Sequence, residues 1–421
     1  MRTILATCLI LCMLNSCKKD KAPTPPTSLT PTIESVSPTS GSYNAVITIH
    51  GTNFSATPEN NKVTVNGIDA TVQSATDTTI TAIVPERAGT GAVIVTTTNG
   101  TISGSTFTYV PNVFVAGNEY EGDISVAKYW KNTIPIILEA HSNANTLFVT
   151  GSDVYAAGWG HDAVSGIDAA VYWKNGNPTT LPTGELVDGS VLSLFMSGND
   201  LYAAGTAIDN ATRRNAGVYW KNGVLTILNE DNTTLSTPAY SIHVSGNDTY
   251  IAGATFGSAA IAKFWKNGTE VPLTNALTTA SGALSVFVAG NDVYVAGYAI
   301  VGTLSIAKYW KNNVEVALTD GSHSAGANAI TVSGDDVYVA GSEIASTHSV
   351  AKYWKNGVPI SLTDGTNDAV ANSIQVLGND VYVAGYETIG TKDVAVYWKN
   401  GTKIALTDGT NQARATSIAV Q

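Results

Sequence analysis

The sequence predicts an all-β protein in which a β-sandwich precedes a seven-bladed β-propeller closed by the chain's own C-terminal strand. Three observations carry that expectation. Charged residues are 13 % of the 421 and hydrophobic residues 44 %, with 39 glycines, the composition of a turn-rich strand protein. An aromatic-Trp-Lys-Asn tetrapeptide recurs with tryptophans at 130, 173, 220, 265, 310, 354 and 398, so the spacings are 43, 47, 45, 45, 44 and 44 residues. Four short strands in a unit of about 40–45 residues is the signature of a propeller blade. Finally, the array starts in mid-repeat at Val113-Phe114-Val115-Ala116-Gly117, a second-strand sequence, and stops at Ser417-Ile418-Ala419-Val420, a first-strand sequence. A solenoid needs polar caps at both ends, whereas complementary ends predict a ring without a free edge.

The N-terminus reads as an export leader. Arg2 supplies a positive start, and Ile4 to Leu14 form an apolar stretch too short to span a bilayer. Leu14-Asn15-Ser16-Cys17 then resembles the bacterial lipobox, which implies a signal peptide over residues 1–16 and a lipid on Cys17. All three cysteines (Cys8, Cys12, Cys17) lie here, leaving the rest of the chain without thiol chemistry. Residues 17–30 follow as a Pro/Thr-rich, semi-rigid stalk. Its Lys18-Lys19-Asp20-Lys21 resembles the surface-export signals of Bacteroidetes lipoproteins. The expected location is therefore the cell envelope, anchored in the outer membrane by the lipid on Cys17 and exposed at the surface.

Residues 31–110 alternate short apolar runs with turn residues, including Asn-Gly pairs at 66–67 and 99–100, the pattern of a β-sandwich. Pro31-Thr32-Ile33, Ser37-Pro38, Gly51-Thr52-Asn53-Phe54, Val65-Asn66-Gly67 and Val84-Pro85 make the segment similar to the IPT/TIG family. That resemblance implies an immunoglobulin-like spacer or interaction module without catalytic residues. Residues 111–421 form the propeller. Its unit resembles uncharacterised Tyr-Trp-Lys-Asn-Gly repeats of exported bacterial proteins, and the resemblance carries no activity.

Within each unit, strands A to D run from the axis outward. The A–B and C–D connections are tight, mostly Gly-Asn and Asn-Gly, and leave one face little room for a site. The B–C and D–A connections on the other face read as longer and more variable, at 119–125, 159–167, 206–215, 229–238 and 255–259. Variable loops on a rigid scaffold are where binding residues collect. Trp159, outside the repeated tetrapeptide, lies beside His161 and Asp162; Arg213-Arg214 is the one Arg pair; and Tyr120, Tyr298 and Tyr386 follow the second strand at nearly equivalent positions. Aromatic rings with amide, carboxylate and guanidinium neighbours suit a glycan or a protein ligand.

The net charge of −11 opposes nucleic acid as a partner. The histidines are scattered without zinc-ligand spacing, Thr-Asp-Gly at 319–321, 363–365 and 407–409 reads as an Asx turn, and no catalytic constellation emerges. No metal, cofactor or catalytic residue is therefore expected, and the chain is expected to be a monomer. A propeller hydrolase or lyase with an axial site and a structural envelope or adhesion component are the competing readings. The seven repeated Trp side chains are expected to fill the gaps between blades.

Overall fold

The computed structural model describes residues 29–162, 167–228, 236–257, 259–273 and 280–421. The leader, Cys17 and the stalk to residue 28 lie outside the described residues, as do 163–166, 229–235, 258 and 274–279. Among the described residues the single helical element is the 3-10 turn Pro58–Asn60, and no helix is long and apolar enough to cross a membrane.

In the N-terminal unit, strands Thr32–Ser37, Val46–Thr52, Thr79–Ile83 and Ile68–Ala75 form one layer. Lys62–Val65, Gly91–Thr97 and Gly100–Tyr109 form the other. Strict alternation buries Ile47, Ile49, Val63, Val65, Ile80, Val93 and Val95 between the layers. Asn66-Gly67, at φ 50° and 82°, turns a hairpin that belongs to both layers, so the strands are one continuous folded sheet.

The remainder is a ring of seven four-stranded sheets. Blade 1 takes its strand A from the C-terminus (Ala413–Val420) and strands B, C and D from Val113–Glu121, Ile124–Lys131 and Ile134–Ala140. Blades 2 to 7 each use four consecutive strands. Successive A strands touch around the axis, and Ala413–Val420 sits between those of blades 7 and 2. At the seam Val420 pairs with Val113 and Ile418 with Val115. The Asn112 N–H donates to the Gln421 carbonyl at 2.8 Å, and the Gln421 N–H returns the bond at 3.0 Å.

The repeated tetrapeptide has two jobs. Each Trp is buried at a boundary between blades: Trp130 packs with Tyr382 and Ala384 of blade 7, and Trp398 with Tyr338 and Ala340 of blade 6. The Lys-Asn pair builds the turn face. In blade 6, Asn356 sits at φ 51°, its Oδ1 accepts the Val337 N–H at 2.8 Å, and its Nδ2 donates to Asp336 at 2.7 Å. Lys355 completes the set, 2.7 Å from Asp336 and 5.3 Å above the Tyr338 ring. Lys355 and then Asn356 hold the Asp336 carboxyl below its ordinary range. Blades 2 to 5 and 7 repeat the Lys–Asp pair at 2.7–3.0 Å. On the opposite face, Asp364 and Asp408 accept the N–H of Thr366 and Thr410, the Asx geometry expected of Thr-Asp-Gly.

Two expectations need correction. Strands B and C run on past the polar residues read as loops, because their ladder is not interrupted. Glu121 pairs with Ile124, Val301 with Leu304, Ala345 with His348 and Ile389 with Lys392, so four B–C connections are two-residue turns. Blade 3, from Ile208 to Asn215, and blade 4, from Phe256 to Ala260, carry longer ones, and in blade 2 residues 163–166, between the paired Asp162 and Ile167, lie outside the described residues. Second, Tyr298 and Tyr386 directly follow the strand-B glycines Gly297 and Gly385, and Trp159 shares that register after Gly158. Tyr120 lies two positions further along, opposite Ser125, and Asn118 holds the equivalent place.

The spacer lies against the turn face. Leu377, just before the A–B turn of blade 7, packs on the spacer core, while Tyr43 and Asn44 share a cavity with Gly151 and Ser152 of blade 2.

Candidate functional site

Every strand A carries a β-bulge at one position: Asn145, Leu192, Tyr240, Leu284, Asn328, Asn372 and Thr416 in blades 2 to 7 and 1. A bulge leaves one residue outside the ladder and re-aims its side chain. Four of these side chains latch the ring on the loop-face side, beginning with Asn328, whose Nδ2 donates to the Ala371 carbonyl at 2.9 Å. Asn372 Nδ2 donates to the Ala415 carbonyl at 2.8 Å, Thr416 Oγ1 to that of Ala144 at 2.9 Å, and Asn145 Nδ2 to that of Val191 at 2.8 Å. Each bond ties one blade to the next.

Around Asn145, Asn372 and Thr416 opens a cleft of about 470 Å³, also lined by Asn118, Tyr120, Asn143, Tyr386, Gln412 and Arg414. It spans blades 7, 1 and 2 and is centred on the seam. The Arg414 guanidinium lies over the Tyr386 ring, 4.5 Å from its centroid, and its Nε is 2.6 Å from Asp393. Asp393 is nearly buried and also accepts the Thr388 hydroxyl at 2.8 Å, so the guanidinium is held in one plane. Burial pushes the Tyr386 hydroxyl above its ordinary range. Tyr120 is placed by its N–H, which donates to the Gln412 carbonyl at 2.8 Å, and its ring stays partly exposed. Asn118, Ser125 and Asn143 form a bonded relay from blade 1 to blade 2.

The lining is neutral amides, hydroxyls and one neutralised Arg, with no carboxylate or imidazole at the wall. Such a site offers hydrogen-bond donors and acceptors beside aromatic faces. Among the described residues no three His, Cys, Asp or Glu side chains converge on a metal position.

Of the residues singled out from sequence, the structure brings Tyr120 and Tyr386 together here. Trp159 pairs with Asn143 in the ladder but does not line the cleft. His161 is 2.9 Å from Asp168 on the rim of blade 2, and the Asp162 side chain lies outside the described residues. Arg213 is 3.9 Å from Asp188 and shares the blade 3 turn with Arg214, away from the cleft. Tyr298 covers Gly282 in blade 5. Missed were Arg414 and the amides of Asn118, Asn143, Asn145, Asn372 and Gln412. One signal was available for Arg414: the equivalent strand-A positions hold Asn143, Ser190, Pro238, Gly282, Gly326 and Val370.

Residues 31–110 match the IPT/TIG domain family. This IPT/TIG domain is the unit whose core receives Leu377 of the ring. No curated protein matches the chain. Among solved structures the chain is similar to an auxiliary nutrient binding protein from Bacteroides thetaiotaomicron, at 11 % identity and a TM-score of 0.35 over 92 % of this chain and 97 % of that one. A protein of the same description from Bacteroides ovatus gives 14 % identity and a TM-score of 0.36 over 93 % and 98 %. The β-propeller domain of the Trilobed protease from Pyrococcus furiosus gives 10 % identity and a TM-score of 0.46 over 71 % and 94 %.

Proposed function

We propose that this chain is a lipid-anchored binding protein of the cell envelope that presents the seam cleft to a glycan. The observation that carries the reading is the cleft itself. Tyr120, Tyr386 and the stacked Arg414 supply flat faces for the apolar side of a sugar ring, and five amide side chains meet its hydroxyls. The orientation supports it. The IPT/TIG domain contacts the turn face, so a lipid on Cys17 at the far end of the stalk leaves the cleft facing away from the membrane.

The test is a glycan array with the full chain, followed by Tyr120→Ala and Tyr386→Ala. Retention of a defined glycan class is expected, with each substitution weakening it by about 10-fold or more, since one ring–aromatic contact contributes about 1–2 kcal/mol. An array that retains nothing, or binding indifferent to both substitutions, overturns the reading. Binding of a peptide through the same two tyrosines would move the ligand class to protein.

A further inference from the structure

The turn face contains one exception to its own rule. In six blades the repeat lysine meets an aspartate two residues before the strand-B aromatic: Lys174–Asp153, Lys221–Asp200, Lys266–Asp248, Lys311–Asp292, Lys355–Asp336 and Lys399–Asp380. In blade 1 that position is Asn112, and the aromatic is Phe114 where the others carry Tyr. Lys131 keeps the shared pose, 5.4 Å from the Phe114 ring centroid. Among the described residues no carboxylate reaches it.

The swap is isosteric but reverses the chemistry. Each aspartate accepts the turn Asn on Oδ1 and the lysine on Oδ2, as Asp292 does from Asn312 at 2.7 Å and Lys311 at 2.8 Å. Asn112 likewise accepts Asn132 on Oδ1, at 2.9 Å. The atom standing where Oδ2 stands elsewhere is then an NH2 group, so an ammonium and an amide donor face the same space with no acceptor between them. That space is a cavity of about 230 Å³ between spacer and ring. Its walls include Tyr43 and Asn44 of the spacer, with Ser152, Asn175 and Gln421 of the ring; no Asp or Glu side chain lines it, and the terminal main-chain oxygen of Gln421 is taken by the Asn112 N–H at 2.8 Å.

We propose that this interdomain cavity binds a small molecule through its carboxylate, which takes the place the Asp side chain occupies in the other six blades, accepting from Lys131 and Asn112. A carboxylate matches because the same lysine geometry already receives one six times over. The cavity holds a small organic acid or a single sugar acid.

The site is on the opposite face from the seam cleft, so its test is independent of the proposed function. Isothermal titration calorimetry of the full chain compares sodium glucuronate and sodium acetate with glucose at matched ionic strength. Saturable binding of a carboxylate is expected, with no heat from glucose. Asn112→Asp, which installs the internal partner that six blades tolerate, is expected to fold normally and weaken binding by about 10-fold or more. Lys131→Ala is expected to do the same, and Tyr386→Ala to bind like the parent. Equal binding by the parent and Asn112→Asp, or no saturable carboxylate binding, overturns the proposal.

Discussion

Single residues show how a ring of low charge content handles the charges it buries. Lys128, Lys263 and Lys308 are almost wholly inside, and each meets a glutamate: Glu119 and Glu121, Glu270, and Glu315 respectively. Burial pulls the Lys128 ammonium down, but Glu119 and Glu121 more than offset it and leave it above the ordinary lysine range. His243 has no such partner. It stacks between Phe195 (4.4 Å) and Phe287 (4.8 Å) in an aromatic half-ring completed by Phe148, and burial pulls its pKa to about 4. The unfolded chain takes up that proton near 6.5 and the folded one near 4, so acidification across this window favours unfolding. His243→Phe is therefore expected to flatten the fall in Tm between pH 6.5 and 4. Parallel melting curves for the two proteins would contradict the buried, neutral assignment.

At the scale of the hairpin, the C–D turns are a repeated device in which one Asn adopts positive φ and caps the neighbouring strand. Asn356→Ala removes two side-chain bonds, leaves the Val337 N–H without its acceptor and puts Ala at φ 51°. A loss of roughly 2–4 kcal/mol is expected from these terms together. Asn356→Gly should recover the backbone part alone. Chemical denaturation of the three proteins separates the two contributions, and equal stability of the Ala and parent proteins would refute the capping role. The same hairpin scale explains why the loop face is flatter than its composition implies. Glu119 is polar and read as a loop residue, yet it pairs across the ladder with Val126 and neutralises Lys128.

For the whole molecule, closure is the central fact. Deleting residues 417–421 removes the buried side chains of Ile418 and Val420, the bond from the Ile418 N–H to Ser373, and the Asn112–Gln421 pair. Burial of the two side chains alone is worth about 3–6 kcal/mol. Because the strand bridges blades 7 and 2, the loss is expected to lower the melting transition of the entire ring. Two separate transitions, or an unchanged Tm, would place the closure elsewhere. Closure also assembles the candidate site: Tyr120 and Arg414 stand near opposite ends of the propeller sequence and become neighbours only across the seam.

The sequence by itself determined what repeats. Strand alternation, positive-φ turns, the inter-blade Trp and the out-of-phase ends are local or periodic, so seven copies make them legible and imply a closed ring. What repeats least was decided by tertiary structure. The cleft draws on Tyr386, Asn118, Arg414 and Asn143 from three blades, and the interdomain cavity on a spacer Tyr and a single Asp-to-Asn departure. No spacing in the chain encodes those neighbours, because bulges aim the side chains and the seam sets which blades adjoin. Ladder hydrogen bonds likewise carried strands B and C beyond the point where polar residues had marked a loop, since backbone pairing is indifferent to side-chain polarity when one side faces solvent or a salt bridge.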